Sequence, residues 1–126
     1  MKVAVAGLGA LGGRLAAELL LAGIPVRGFQ RPGPTESSLR ARGLSYRDRN
    51  GRGHRLPLEV TSTPEALAAD PPDLCLVTVK AHQTRRAAEG IARFLAPRGV
   101  ALTLQNGLGN AEILAEALGA YRVALG

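Results

Sequence analysis

Near its start the chain reads Val3-Ala4-Val5-Ala6-Gly7-Leu8-Gly9-Ala10-Leu11-Gly12, an apolar run followed by glycines at GxGxxG spacing. This order predicts a buried strand, a tight turn and then a helix. Gly7 permits the sharp turn, Gly9 lets the backbone approach a pyrophosphate, and Gly12 allows the helix to pack closely on the strand. The first helical N–H groups then face the phosphates. The stretch predicts a dinucleotide pocket, and the alternative is a glycine-rich turn without a ligand.

Length and composition indicate a single globular domain. The chain has 126 residues, of which 46% are hydrophobic, so it can build a core and is neither disordered nor fibrous. No apolar run reaches the roughly 18 residues that cross a bilayer, and Met1-Lys2 leads directly into a strand. We therefore expect a soluble, cytoplasmic protein with no membrane partner. The single cysteine, Cys75, lies in an apolar run and is expected to be a small buried hydrophobe.

The formal charge of +6 raises nucleic acid as a partner. One stretch carries a cluster of arginines, namely Arg40, Arg42, Arg47, Arg49, Arg52 and Arg55. The chain has only two Phe and two Tyr to interleave with them, and it shows no nucleic-acid motif. We interpret the stretch as a solvated surface and expect no nucleic-acid partner. A basic surface also attracts anionic small molecules.

The first half of the chain predicts a β-α-β unit followed by a hairpin. Strands are expected at 2–6 and 25–30 around a helix at 10–22, with Leu11, Leu15 and Leu19 on one stripe at four-residue spacing. A short helix is expected at 35–42. Segments 44–47 and 56–60 are predicted to pair as a hairpin around Asn50-Gly51.

The second half alternates helices and strands. Thr63 is expected to cap a short helix that starts at Pro64, and strands are predicted at 74–79, 100–104 and 122–125. Helices are predicted at 83–96, with Ala87, Ile91 and Phe94 or Leu95 inward, and at 110–118. The fold class is therefore α/β: a Rossmann-type doubly wound, mainly parallel sheet with helices on both faces.

Ligands of such sheets bind beyond the carboxyl ends of the strands, where the glycine loop, Lys80 and Asn106 are predicted to lie. Lys80 can attract ribose hydroxyls or a carboxylate, although a solvated strand end is the alternative. Asn106 can hold a ribose hydroxyl, a carboxamide or a carbonyl, but Asn-Gly is also a common turn pair and Asn110 a plausible helix cap. His54 and His82 lack partners at ligand spacing, so no metal is expected, and His82 is a weak candidate for a general acid.

The end of the second strand predicts which dinucleotide is bound. Enzymes specific for NAD place an acidic residue there to bind the ribose hydroxyls, whereas this chain has Gln30 and Arg31. A guanidinium suits the oxygens of a 2′-phosphate. We expect NADP(H) rather than NAD(H), and the alternative for Arg31 is an ordinary loop arginine.

Three strings together with Arg31 resemble the ketopantoate reductase (2-dehydropantoate 2-reductase) family. They are the run from Met1 to Gly12, Val77-Thr78-Val79-Lys80-Ala81-His82-Gln83, and Gln105-Asn106-Gly107-Leu108-Gly109. The last two are more specific than the glycine loop, and the resemblance spans all 126 residues in order. It implies NADPH-dependent reduction of 2-dehydropantoate to pantoate, in pantothenate biosynthesis.

The resemblance also implies roles for individual residues. Gly7, Leu8, Gly9, Ala10, Leu11 and Gly12 would hold the pyrophosphate. Arg31 with Gln83 would hold the 2′-phosphate, and Lys80 and Asn106 would hold the nicotinamide ribose, with Asn106 also near the substrate. Lys80 and Asn106 are thus the catalytic candidates.

The chain departs from the family in length, since family members carry a second, helical domain that supplies the proton donor. We expect residues 1–126 to be the NADP-binding domain, weak or inactive alone, with an unfinished C-terminal strand that favours self-association. The alternative is a noncatalytic NADP(H)-binding module or subunit.

Overall fold

The computed structural model describes residues 1–126 and alternates strands with helices along most of the chain. The strands are β1 (Val3–Ala6), β2 (Val26–Phe29), β3 (Leu44–Arg47), β4 (Gly53–Leu56), β5 (Glu59–Thr61), β6 (Leu74–Val77), β7 (Val100–Thr103) and β8 (Val123–Leu125). The α-helices are α1 (Ala10–Leu21), α2 (Pro34–Arg42), α3 (Pro64–Ala68), α4 (Thr84–Phe94) and α5 (Asn110–Leu118). Two 3₁₀ turns, Ala81–Gln83 and Ala120–Arg122, precede α4 and β8.

Six strands form one sheet in the order β5-β2-β1-β6-β7-β8, and every neighbouring pair in it is parallel. The chain leaves β1 toward β2 on one side and later returns to add β6 on the other side. The order of strands therefore reverses between β1 and β6, which is where doubly wound sheets open a ligand crevice. The predicted Rossmann-type fold class is confirmed.

The two faces of the sheet bury two separate cores. Along β1, Val3 and Val5 belong to the core beneath α1, α2 and the β3-β4 hairpin, whereas Ala4 and Ala6 belong to the core beneath α3, α4 and α5. Successive side chains of a strand point to opposite faces, so an uninterrupted apolar strand is what a sheet covered on both sides requires.

The turn between β1 and α1 requires glycine at two positions. Gly7 has φ +93°, and a Cβ there would lie 2.7 Å from the backbone nitrogen of Val79. A Cβ on Gly12 would lie 1.8 Å from the carbonyl oxygen of Gly7 and 2.5 Å from Oγ1 of Thr78. The Thr78 hydroxyl also donates to the Gly7 carbonyl at 2.7 Å. The loop, α1 and the end of β6 are thus in direct contact.

The leucine stripe predicted on α1 is only partly buried. The buried face of α1 consists of Gly12, Gly13, Ala16 and Ala17, while Leu11 is 47% exposed. Leu15 and Leu19 pack only partly against the core. Small residues occupy the buried face because α1 lies close to the sheet. The spacing of leucines in the sequence cannot predict this proximity, because it depends on tertiary packing.

The predicted hairpin forms, but its second strand is displaced. β3 pairs antiparallel with β4, Gly53–Leu56, rather than with residues 56–60. The chain turns away after Leu56, and Glu59–Thr61 becomes β5, a parallel neighbour of β2. Pro57 lacks the N–H that a continued hairpin ladder would need, so the apolar run is divided between two sheets.

The remaining helix predictions differ in detail. The helices predicted at 35–42, 83–96 and 110–118 are present, and Ala87, Ile91, Phe94 and Leu95 are buried as expected. Thr63 precedes α3 but its side chain makes no capping hydrogen bond, so that prediction is wrong. Its backbone N–H instead binds the hydroxyl of Thr61 at 3.0 Å.

Strand β8 forms one edge of the sheet, and its outer surface is apolar and open. Leu125 is 77% exposed and the adjacent Tyr121 is 87% exposed. Self-association through this edge stays a prediction. None of the helices combines the length and apolar character that crossing a bilayer requires.

We expect Gly12→Ala to lower the free energy of unfolding by about 2 kcal/mol or more, because the new methyl overlaps the Gly7 carbonyl and the helix must shift. Chemical denaturation monitored by circular dichroism measures it. Gly13→Ala is the matched control: its methyl would meet nothing nearer than a Leu44 methyl at 3.6 Å, and it should gain up to about 1 kcal/mol of helix propensity. Equal destabilisation of both variants would contradict this account of the turn.

Cys75 is fully buried at the centre of the sheet, and this burial raises the pKa of its thiol to about 12. The confirmed burial predicts that the native protein reacts negligibly with thiol reagents at pH 8, because the thiolate is the nucleophile. Denaturant should release one reactive thiol per chain. Rapid labelling without denaturant would show that β6 opens readily.

Candidate functional site

The glycine loop presents unpaired donors at the crevice between β1 and β6. Gly9 is the N-cap residue of α1, no side chain caps this helix end, and its first turn holds no acidic residue. A Cβ added to Gly9 would meet nothing within 4 Å, so one side of the loop is open. Uncapped N–H groups at a helix N-terminus favour an anion.

Gln30 holds the glycine loop from the end of β2. Its Oε1 accepts a hydrogen bond from the Leu8 backbone N–H at 2.7 Å, and the Gly7 N–H donates to the Phe29 carbonyl at 3.0 Å. The Gln30 amide therefore fixes the glycine loop. Arg31, the next residue, is the charged side chain that remains at the end of β2. The sequence placed Gln30 correctly and did not reveal this contact.

Arg31 and Gln83 meet across a cavity of about 200 Å³ next to the glycine loop. With the Gln83 amide oriented by its hydrogen bonds, its oxygen accepts from Arg31 Nε at 3.2 Å and from Nη1 at 3.0 Å. Gly7, Phe29, Val79 and Ala87 contribute to the cavity wall. The cavity lies where strand β2 ends and helix α4 begins, so residues distant in sequence converge there.

Lys80 and Asn106 follow two adjacent strands at equal distance. Val77 of β6 pairs in register with Thr103 of β7. Lys80 comes three residues after Val77, and Asn106 comes three residues after Thr103. Parallel neighbours are about 4.8 Å apart, so the two loops leave the same edge of the sheet side by side. Lys80 and Asn106 are both exposed. The side chains of both residues are thus accessible to a ligand.

A buried polar network joins these two loops. Gln105 Nε2 donates to the Val79 carbonyl at 2.9 Å and to Thr84 Oγ1 at 2.7 Å, while Thr103 Oγ1 donates to Gln105 Oε1 at 2.9 Å. The Thr84 hydroxyl donates in turn to Asn110 Oδ1 at 2.8 Å. No buried side-chain polar atom of the protein lacks a partner. A fully satisfied network of this kind fixes one geometry.

The prediction of Asn110 as a helix cap is wrong. Gly109 occupies the N-cap position of α5, and Asn110 is the first helical residue. Its Nδ2 donates to the carbonyls of Asn106 at 3.0 Å and Gly107 at 3.3 Å. The side chain closes the Asn106 loop onto the network because it is only 4% exposed and must satisfy its amide internally.

The two histidines lie in different elements, His54 in β4 and His82 in the turn before α4. No group of His, Cys, Asp and Glu side chains in the protein is arranged to hold a metal ion. His54 is hydrogen-bonded to Asp48 at 2.8 Å, and this bond is the main cause that lowers the pKa of the Asp48 carboxyl from its usual value. His82 is exposed in the turn before α4.

The predicted solvated face of the arginine stretch is confirmed by exposure. Every arginine of the stretch is exposed on α2, on the β3-β4 hairpin or in the loop between β3 and β4: Arg40, Arg42, Arg47, Arg49, Arg52 and Arg55.

Sequence reasoning missed three contributors to the site. Thr84 and Thr103 belong to the polar network, and Arg86 lines the Arg31 cavity. Thr84 falls on the same helical face as Ala87, Ala88 and Ile91, so a polar residue in that apolar stripe was a usable signal. Arg86 follows Gln83 at a spacing of three, which puts both on one side of the helix start.

The fold and the arrangement of these loops define a Rossmann-like α/β domain with a crevice at the switch point of its sheet. Comparison with known proteins gives the family. The sequence profile described as "Ketopantoate reductase PanE/ApbA" matches residues 3–126. The chain belongs to this family, whose members are oxidoreductases acting on a 2-keto acid, and the resemblance inferred from the motifs is confirmed.

Individual relatives agree with this assignment. The chain is 37% identical over 118 residues to a 2-dehydropantoate 2-reductase of Archaeoglobus fulgidus, covering 91% of this chain and 35% of that protein. The crystal structure of 2-dehydropantoate 2-reductase from Geobacter metallireducens is 34% identical with TM-score 0.83, covering 98% of this chain and 40% of that one. D-mandelate dehydrogenase with NADH and anilino(oxo)acetate shares the fold, at 24% identity and TM-score 0.88, over 100% of this chain and 40% of that one. The chain thus spans about two fifths or less of these relatives.

We expect Thr84→Val to destabilise the protein by about 1–3 kcal/mol, because one N–H of the Gln105 amide and the Oδ1 atom of the buried Asn110 side chain lose their partner. Thermal unfolding measures the loss. Thr35→Val, at an exposed position of α2, is the control and should change stability by less than about 0.5 kcal/mol. A Thr84→Val protein as stable as the control would mean that the network does not hold the two loops.

Proposed function

We propose that this chain is the NADPH-binding domain of an oxidoreductase that reduces 2-dehydropantoate to pantoate, a step of pantothenate biosynthesis. The observation that carries the cofactor assignment is the convergence of Arg31 and Gln83 on one cavity beside the glycine loop. Family membership supports the reaction. The relatives are longer than this chain, so the activity of the whole protein rests on the likeness to them.

The glycine loop fits a pyrophosphate. Gly9 is open on one side, the N-terminus of α1 has no side-chain cap, and no acidic residue stands in its first turn. Two phosphates placed there would accept hydrogen bonds from backbone N–H groups and neutralise the positive end of the helix. Gly7, Leu8, Gly9, Ala10, Leu11 and Gly12 would form this cradle.

The end of β2 supports NADP(H) over NAD(H). A ribose 2′-hydroxyl is recognised by a carboxylate, and the residues that line the cavity include no Asp or Glu. Arg31 offers a charged, planar set of donors, and Gln83 orients it before any ligand binds. A 2′-phosphate is the group that this arrangement suits.

Lys80 and Asn106 would act at the nicotinamide end. The bound cofactor supplies a hydride, while the residues of this chain orient the two reactants and exclude wrong geometries. The Asn106 amide can donate to the substrate carbonyl oxygen or to a ribose hydroxyl, and the exposed ammonium of Lys80 can hold ribose oxygens or a substrate carboxylate. The rigid Gln105 network would keep both loops in place.

A second candidate is a noncatalytic NADP(H)-binding module. The side chains of Lys80 and His82 are both exposed, and neither takes part in an ion pair of the structure. Neither side chain therefore has a charged partner that would orient it as a donor for the proton that the new alkoxide requires. Both candidates predict NADPH binding. Turnover of 2-dehydropantoate by the purified chain would favour the oxidoreductase, whereas its absence is compatible with both candidates.

We expect the purified chain to bind NADPH at least tenfold more tightly than NADH, about 1.4 kcal/mol, in a titration of nicotinamide fluorescence at fixed ionic strength. Arg31→Gln should remove most of this preference by weakening NADPH alone, because the 2′-phosphate loses a charged donor. Arg49→Gln, at an exposed arginine between β3 and β4, is the control and should bind like wild type. Equal affinity of wild type for both cofactors would overturn the NADPH assignment.

A further inference from the structure

A second arginine lines the cavity that holds Arg31. The walls of this cavity carry two guanidinium groups, two amides and a hydroxyl at the carboxyl end of β2 and β5 and at the start of α4. The polar side chains concerned are Gln30, Arg31, Ser62, Gln83 and Arg86. Gln30 is engaged with the Leu8 N–H, and Arg31 with Gln83. The family resemblance gave no role to Arg86.

The direction of Arg86 differs from that of its neighbours on α4. Arg85 extends toward α5, where its Nη1 lies 3.1 Å from Glu116, and Arg93 pairs with Glu65 of α3. Arg86 lies three residues after Gln83 and borders the cavity with it. None of the ion pairs in the protein involves Arg86. Its charge is therefore available to a ligand.

The position of Arg86 is electrostatically unfavourable in the protein alone. It lies in the first turn of α4, which contains no acidic residue, and a cation near the positive end of a helix is unfavourable. The positive charge of Arg85, in the same turn, is compensated by the carboxylate of Glu116. Arg86 has no such partner and shares a cavity with a second arginine, Arg31. An anion in this cavity would relieve both the repulsion and the helix-end charge. Local conflicts of this kind concentrate at functional sites.

We infer that Arg86 is a second specificity-determining residue, which binds the 2′-phosphate of the cofactor from α4 while Arg31 binds it from the end of β2. This inference rests on the proposed function, since it assigns the group that occupies the cavity. A phosphomonoester has three terminal oxygens and a charge between −1.5 and −2 near neutral pH, enough for two guanidinium groups. A ribose hydroxyl gives neither arginine a charged partner.

The test isolates the phosphate-binding end of the cofactor by using adenosine 2′,5′-bisphosphate and 5′-AMP as probes in calorimetric titrations. Arg86→Gln should weaken binding of the bisphosphate about tenfold, the loss of one charge-assisted hydrogen bond, and leave 5′-AMP unchanged. Arg85→Gln is the matched control on the adjacent residue, and it should bind both probes like wild type. Arg86→Lys should fall between wild type and Arg86→Gln, because it keeps the charge and loses the planar donor pair.

The outcomes separate the inference from the proposed function. Arg86→Gln indistinguishable from Arg85→Gln, with Arg31→Gln weakened, would overturn the role of Arg86 and leave the NADPH assignment standing. Wild type that discriminates neither bisphosphate from 5′-AMP nor NADPH from NADH would overturn both. Arg86 is exposed, so its replacement should not unfold the chain, and an unchanged melting temperature of the Arg86→Gln protein verifies this.

Discussion

The contact between Gly12 and the carbonyl of Gly7 is the constraint on which the architecture depends. A Cβ at Gly12 would lie 1.8 Å from that oxygen, so α1 can approach the end of β1 only because the side chain is absent. The same carbonyl accepts the Thr78 hydroxyl from the end of β6. Helix, loop and neighbouring strand are therefore fixed together at the point where the order of strands reverses, and the open face of Gly9 stays directed at the crevice.

The other half of the crevice is stabilised differently. Where the glycine loop depends on absent side chains, the loops after β6 and β7 depend on the half-buried amide of Gln105 and the buried hydroxyl of Thr84. Such groups are costly to bury unless each finds a partner, and here every one does. The polar interior thus contributes order at the loops that carry Lys80 and Asn106, rather than merely adding stability.

Much of the fold could be predicted because the signals are local. An apolar run followed by glycines, the apolar stretch around Cys75 and the stripe of Ala87, Ile91 and Phe94 each follow from the period of one element. The errors arose where partners distant in sequence compete. Pro57 divides one apolar run between a hairpin and the main sheet, and the proximity of α1 to the sheet selects alanine and glycine over leucine for its buried face.

The sequence by itself determined the strand-helix alternation, the glycine loop, the strand ends that carry Arg31, Lys80 and Asn106, and the likeness to ketopantoate reductases, because these are encoded by short-range pattern and motif. Only the tertiary structure decided that the Gln83 amide accepts directly from the Arg31 guanidinium, that Gln105 joins two loops and that Arg86 borders the same cavity. Parallel strands bring their carboxyl ends to one edge of the sheet through crossovers of many residues. Which side chains meet there is fixed by register and helix rotation, and these are set by packing across the whole domain.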